Sequence, residues 1–163
     1  MLGREAEARD GYQRAIALSE RLVAENPTRT LYRGHLASAF WRRGLARRAL
    51  GDPAGAAADA RRALSLYDAL PTQSPQLWFE TACCDAALAG LVGQDGAGVS
   101  AADGKAEADQ AMALLRKAVG MGYRDAGAFR TESALDPLRQ REDFKKLLAE
   151  LEQKSAAKPE KKP

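Results

Sequence analysis

The sequence predicts an all-α protein, on three observations, and the repeat described below extends that expectation to an α-α superhelix of antiparallel helix pairs. Of the 163 residues, 34 are Ala and 20 are Leu, against 4 Val, 1 Ile and 5 Thr. Ala and Leu are strong helix formers, whereas β-branched residues favour strands. Apolar residues recur at three- and four-residue spacing through most of the chain, which is the helical period. Pro27, Pro53, Pro71 and Pro75 fall at the edges of these periodic stretches rather than inside them, and a Gly-rich run over 92–104 interrupts them. The length suits one domain with a packed core. The scarcity of strand formers excludes the sheet-based enzyme architectures.

The elements follow in order. Residues 4–25 form an amphipathic helix through Ala8, Tyr12, Ala15, Ile16, Leu18 and Leu22. Asn26-Pro27 stops it, because proline disfavours helix in the residue before it. Thr28 is placed to cap the next helix, which runs to about Leu50 through Leu36, Ala39, Phe40 and Leu45. Gly51-Asp52-Pro53 is a sharp turn: Gly tolerates positive φ past a helix end, and Pro suits the first turn of a new helix. A third helix covers 53–70, with Ala56, Ala60, Ala63, Leu64 and Tyr67 on one face. A connector from Pro71 to Pro75 leads to a fourth helix over 75–91. Residues 92–104 hold four Gly and little apolar bulk, which reads as a mobile loop. A fifth helix spans 104–120, a short one falls within 123–131, and Asp136-Pro137 opens a turn. A last helix over 141–153 points Phe144, Leu147, Leu148 and Leu151 inward. Residues 154–163 offer nothing to bury and read as a disordered tail.

Charge narrows the function. The formal net charge is +3, from 25 basic and 22 acidic residues. Residues 1–71 hold 12 basic and 8 acidic groups, and residues 72–104 hold none and 4. This is not the dense basic stripe of a nucleic-acid binder. One His and two adjacent cysteines, Cys83-Cys84, supply neither a zinc set nor a His-dependent triad, so no metal, cofactor or enzymatic role is expected. Helical neighbours point about 100° apart, so the two cysteines read as small buried residues rather than a disulfide. His35 reads as a surface or half-buried polar residue. Glu5-Glu7 and Glu142-Asp143 read as charges favourable near helix N-termini. GQDGAG lacks a following Lys-Ser/Thr and a preceding strand, so it is a linker and not a phosphate loop. No run of 18 apolar residues is present, so no membrane span is expected, and the start lacks the apolar core of a secretory signal. The expected compartment is the cytoplasm.

The helices also repeat. Ala8, Tyr12, Ala15, Ile16 share their spacing with Ala56, Ala60, Ala63, Leu64 and with Ala111, Leu115, Ala118, Val119. The first two sets lie 48 residues apart and the next two 55, the Gly-rich loop accounting for the longer step. Such periods signal solenoids. Within 37–71, small residues at a helix crossing set Gly44 against Ala56, with Phe40 and Leu64 on the flanks.

Trp41, Gly44, Gly51, Asp52, Ala56 and Ala63 follow the pattern of the tetratricopeptide repeat, which the chain resembles. Ala60 stands where that family has a large aromatic, and Pro71 falls later than its closing proline. The 48-residue period exceeds the family's roughly 34, which longer helices accommodate. The resemblance divides residues 1–153 into a partial unit at 4–27, units at 28–71 and 75–122, and capping helices at 125–153. The partial unit lacks its first helix, so the sequence reads as cut from something longer. Leu135-Asp136-Pro137-Leu138-Arg139, followed by Asp143-Phe144 and Leu147-Leu148, is similar to the ending of the C-terminal repeat region of bacterial serine/threonine protein kinases. The kinase catalytic motifs are absent from these residues. The resemblance therefore implies a non-catalytic, recruiting or regulatory region.

First helices of such repeats usually line a concave groove. By spacing, Ser38, Trp41, Leu45 and Arg48 share one stripe of the second helix, and Gln76, Phe79 and Cys83 the equivalent stripe of the fourth. A protein or peptide ligand could cross these stripes, with Arg48 and Arg42 taking its carboxylates. Trp41 and Phe79 read equally as core. Two other readings stay open: a free-standing adaptor that self-associates through residues 4–25, and an RNA-binding protein using the doublets Arg42-Arg43 and Arg47-Arg48 of helix 28–50. At least part of that Arg cluster is expected to face solvent.

Overall fold

The computed structural model describes residues 2–71 and 74–156. Among them are seven α-helices, one 3-10 helix and no strand. α1 spans Leu2–Glu25, α2 Thr30–Ala49, α3 Pro53–Asp68, α4 Pro75–Ala89 and α5 Ala101–Gly120. α6 spans Ala126–Thr131, the 3-10 helix Ser133–Leu138, and α7 Glu142–Ala156.

The turn signals set most boundaries. The Asn26 side-chain amide donates to the Leu22 carbonyl, 3.2 Å away, and closes α1. Gly51 adopts φ +80°, which costs other residues steric strain, and Asp52 then caps α3 by accepting from the Gly55 amide at 2.8 Å. Ser74 caps α4 by accepting from the Leu77 amide, with Pro75 in the first turn.

Four expectations need correction. Thr28 does not cap α2: Arg29 holds the cap position without a side-chain hydrogen bond, and the helix begins at Thr30. α5 begins at Ala101, not 104, because Ser100 and Asp103 form a reciprocal capping box that nucleates the helix earlier. The loop before it is tied down rather than free. Ala97 is buried with Ala56, Ala57, Ala60, Leu88 and Leu91, and Arg61 donates to the Gly98 carbonyl at 2.9 Å. α7 continues to Ala156, past the expected limit at 153, with Lys154 placed favourably in its last turn. The remainder of the expected tail, 157–163, lies outside the described residues.

Each helix packs on the next: α1 on α2, α2 on α3, α3 on α4 and α4 on α5, with α2 also touching α4. Cross-contacts fix the antiparallel sense. A Cβ added at Gly44 of α2 would lie 3.2 Å from the Ala56 carbonyl oxygen and 3.3 Å from the Asp59 Cβ, so only a glycine lets these backbones meet so closely. At the other end of the pair, Gly34 lies against Leu70.

α4 is the central element. Every residue from Thr81 to Leu88 is buried, which its small side chains (Ala82, Cys83, Cys84, Ala86, Ala87) permit by letting neighbours close on all sides. Those neighbours are α3, α5, α2 and the 3-10 helix. Phe79 stacks on Tyr123 at 4.6 Å between ring centroids and meets Phe129 at 5.5 Å, and Phe129 meets Phe144 at 5.9 Å. This aromatic ladder fastens α6 and α7 to α4, with each pair adding to its area burial.

Candidate peptide-binding site

The first half of α2, the end of α3 and the start of α4 enclose a notch of about 330 Å³. α2 contributes Thr30, Leu31, Gly34, His35 and Ser38. Tyr67, Leu70 and Pro71 come from the end of α3 and the start of the connector, and Ser74, Gln76, Leu77 and Glu80 from the start of α4. Gly34 leaves the recess open on the α2 side, with Leu70 4.0 Å from where a Cβ would stand. Leu31 at the rim is 62% exposed.

Glu80 organises the polar part. The Tyr67 hydroxyl donates to its Oε2 at 2.8 Å, and the Gln76 amide donates to its Oε1 at 2.9 Å. Burial, and then the adjacent Glu80 charge, hold the Tyr67 hydroxyl well above the usual tyrosine range, so it remains a donor. Trp41 lies behind this pair, facing Tyr67, and its Nε1 makes no hydrogen bond of good geometry. Each Glu80 oxygen accepts one hydrogen bond and keeps capacity for another. Among the described residues no Lys or Arg lines the notch, and Glu80 makes no ion pair.

The seven residues placed on one groove by spacing divide among three locations, and Arg42, expected to receive ligand carboxylates beside them, occupies a fourth. Ser38 and Gln76 line the notch. Trp41, Phe79 and Cys83 are interior, with Cys83 fully buried. Leu45 and Arg48 lie on the far side, around a void of about 10 Å³ beside Gly44 and Leu91. Arg42 stacks over the Trp41 ring at 4.3 Å and reaches Glu132 at 3.9 Å.

The chain itself covers the face that holds Phe79 and Cys83. The 3-10 helix packs on α4, with Ala134, Leu135 and Leu138 fully buried, and Phe129 of α6 closes over Phe79. Glu80 and Tyr67 were not among the site residues read from spacing. The available signal was Gln76, which lies one helical turn before Glu80 on the same face.

The Arg cluster is split between the interior and the surface, with the Arg42 side chain 42% exposed. Arg43 is buried, and its guanidinium donates twice to Asp59 of α3, at 2.8 and 2.5 Å, and once to Gln13 of α1. Arg47 is half-buried, 3.3 Å from Asp59 and 3.7 Å from Asp52. Residues of the α1 outer face, including Arg4, Glu7, Arg9, Asp10, Arg14 and Arg21, are charged and exposed, with Leu18 the one large exposed hydrophobic of that helix among those described.

Both thiols are buried and raised well above the ordinary cysteine range by burial, which makes them poor nucleophiles. No cluster of His, Cys, Asp and Glu among the described residues is arranged to hold a metal ion. No helix among them is long and apolar enough to cross a membrane. Comparison with protein-family models, curated proteins and solved structures yields no match.

Proposed function

We propose that this chain is a tetratricopeptide-like protein-interaction module, and that it works as the non-catalytic C-terminal region of a bacterial serine/threonine protein kinase. The observation that carries the interaction reading is the notch: an apolar recess between three helices that holds a carboxylate without a countercharge. Such recesses with few convergent polar groups are the usual form of a binding site. The helix-on-helix pairing from α1 to α5 supports a solenoid in which each unit buries its face on the next. The kinase context rests on the resemblance of residues 135–148 to the ending of that kinase region. These residues build the cover over α4.

The interaction reading is preferred to the RNA reading because Arg43 and Arg47 bond to Asp59 rather than standing free for phosphates. An antibody to this region, used to capture the native protein from its source cells, tests the kinase context by intact mass. A species far heavier than 17.5 kDa with kinase motifs upstream supports it. A species of 17.5 kDa overturns it and favours the free-standing adaptor. Hydrogen exchange on the captured complex tests the interaction reading, with protection expected on α2 to α4 when a partner is bound.

A further inference from the structure

We propose that the α2–α3–α4 notch binds a partner polypeptide through a lysine or arginine side chain flanked by an apolar residue. This rests on the interaction-module reading and names the chemistry of its partner.

Charge complementarity decides the occupant. Among the described residues Glu80 is the only acidic residue of the lining, and neither Lys nor Arg accompanies it there. It is half-buried, and Tyr67 and Gln76 orient its two oxygens without neutralising it. A carboxylate partly withdrawn from water gains most from a cation that approaches with its own hydrogen-bond donors. Arg33 of α2 is not part of the lining and donates to the Pro27 carbonyl at 2.7 Å. Arg42 and Arg48, which spacing assigned to receive ligand carboxylates, do not line the notch. An acidic ligand would therefore meet Glu80 with no compensating charge.

The apolar part of the recess fits the rest of such a side chain. Lysine and arginine bury their methylene stems along apolar surface while the charged head finds a polar partner. Leu31, Leu70 and Leu77 provide that surface, and the exposed Leu31 at the rim leaves room for one apolar neighbour in the peptide. A volume of about 330 Å³ lies at the small end of ligand sites, enough for one or two side chains and not for a folded element.

The test uses the full chain and fluorescent nonapeptides with Lys, Arg, norleucine or Glu at the centre, between leucines. Two variants report on the site. Glu80→Gln removes the charge and keeps the side-chain shape. Gly34→Leu fills the recess, and its Cβ meets only Leu70 at 4.0 Å while leucine favours helix, so folding is retained. The Lys and Arg peptides are expected to bind at least about tenfold tighter than the norleucine and Glu peptides. Glu80→Gln is expected to abolish that preference, and Gly34→Leu to abolish binding. Binding without charge preference, preference for Glu, or binding that survives Gly34→Leu overturns this inference and leaves the interaction reading standing on another face. Failure of every peptide, and of a random peptide library, at about 1 mM overturns both.

Discussion

Pro137 of the 3-10 helix stands directly against Gly90 at the end of α4. A methyl group placed on Gly90 would lie 2.7 Å from the Pro137 Cγ and 2.9 Å from the Arg48 Nη1. The contact seats the segment that covers Phe79 and Cys83, so the cover depends on a residue with no side chain. Gly90→Val is expected to unseat it at a cost of about 1–3 kcal/mol, the usual range for overpacking. Both thiols are fully buried, so reaction with a disulfide reagent reads cover opening. The variant is expected to react about 5- to 150-fold faster, at unchanged helical content. An unchanged thiol rate would mean that the cover does not depend on this contact.

The bridge between α2 and α3 predicts an asymmetry. Asp59 is met by two arginines, Arg43 at 2.5 Å and Arg47 at 3.3 Å, whereas among the described residues Arg43 has Asp59 as its sole anionic partner. Asp59→Leu strands a buried guanidinium beside the neutral Gln13 and is expected to cost about 3–5 kcal/mol. Arg43→Met leaves Asp59 with Arg47 and is expected to cost about 1–3 kcal/mol. The double variant should recover much of the loss, since apolar replacement of a whole buried pair is often neutral. Urea denaturation of the three variants measures this. Equal costs for the two single changes would refute the asymmetry.

Gly44 offers a separate check on the same pair of helices. Its Cβ position is already within 3.3 Å of α3 backbone and side-chain atoms, and a leucine there has nowhere to go without parting the helices. Gly44→Leu is expected to lower the melting temperature sharply, by several kcal/mol of stability, despite its better helix propensity. A preserved melting point would show the α2–α3 register to be wrong.

The sequence disclosed local features well and cross-helix features poorly. Asn26-Pro27, Gly51-Asp52-Pro53 and Pro75 mark helix ends by chemistry that acts within four residues, and the structure places boundaries there. Gly44 was legible because a repeat pattern carries it. Ser100 and Asp103 were hidden inside a Gly-rich stretch, though their three-residue spacing is itself the capping signal. Arg43 and Asp59 stand sixteen residues apart, and no local period joins them. The same holds for the site. A helical stripe puts Trp41 with Ser38 and Phe79 with Gln76, but it cannot tell which of its residues distant segments will bury: Ser38 and Gln76 line the notch, while Trp41 and Phe79 are interior. Tyr123 and Phe129, more than forty residues downstream, are what close over Phe79.

Asp85, buried in α4, makes stability depend on pH with an unusual sign. Burial, and then the adjacent Glu107 carboxyl of α5, push its pKa up to about 8. Asp68 of α3 adds a further like charge, and one Asp85 oxygen has no hydrogen-bond partner. In the unfolded chain the group ionises near its ordinary value of 3.8. Between these values the folded state holds a proton that the unfolded state has lost. Its contribution is therefore fully present below about pH 4 and falls by up to roughly 1.4 kcal/mol per pH unit until about pH 8. Asp143, held down to about 2 by Arg141 and Arg116, acts in the opposite sense, losing its contribution as pH falls from about 4 towards 2. Asp85→Asn mimics the protonated acid and removes the first slope. The variant is expected to be more stable than the parent at pH 7, by on the order of 3 kcal/mol, and to differ little from it at pH 4. Urea denaturation across pH 4 to 8 measures the difference. Parallel curves for parent and variant would show that Asp85 is ionised in the folded protein, and the α4–α5 contact would then have to hold two carboxylates without a shared proton.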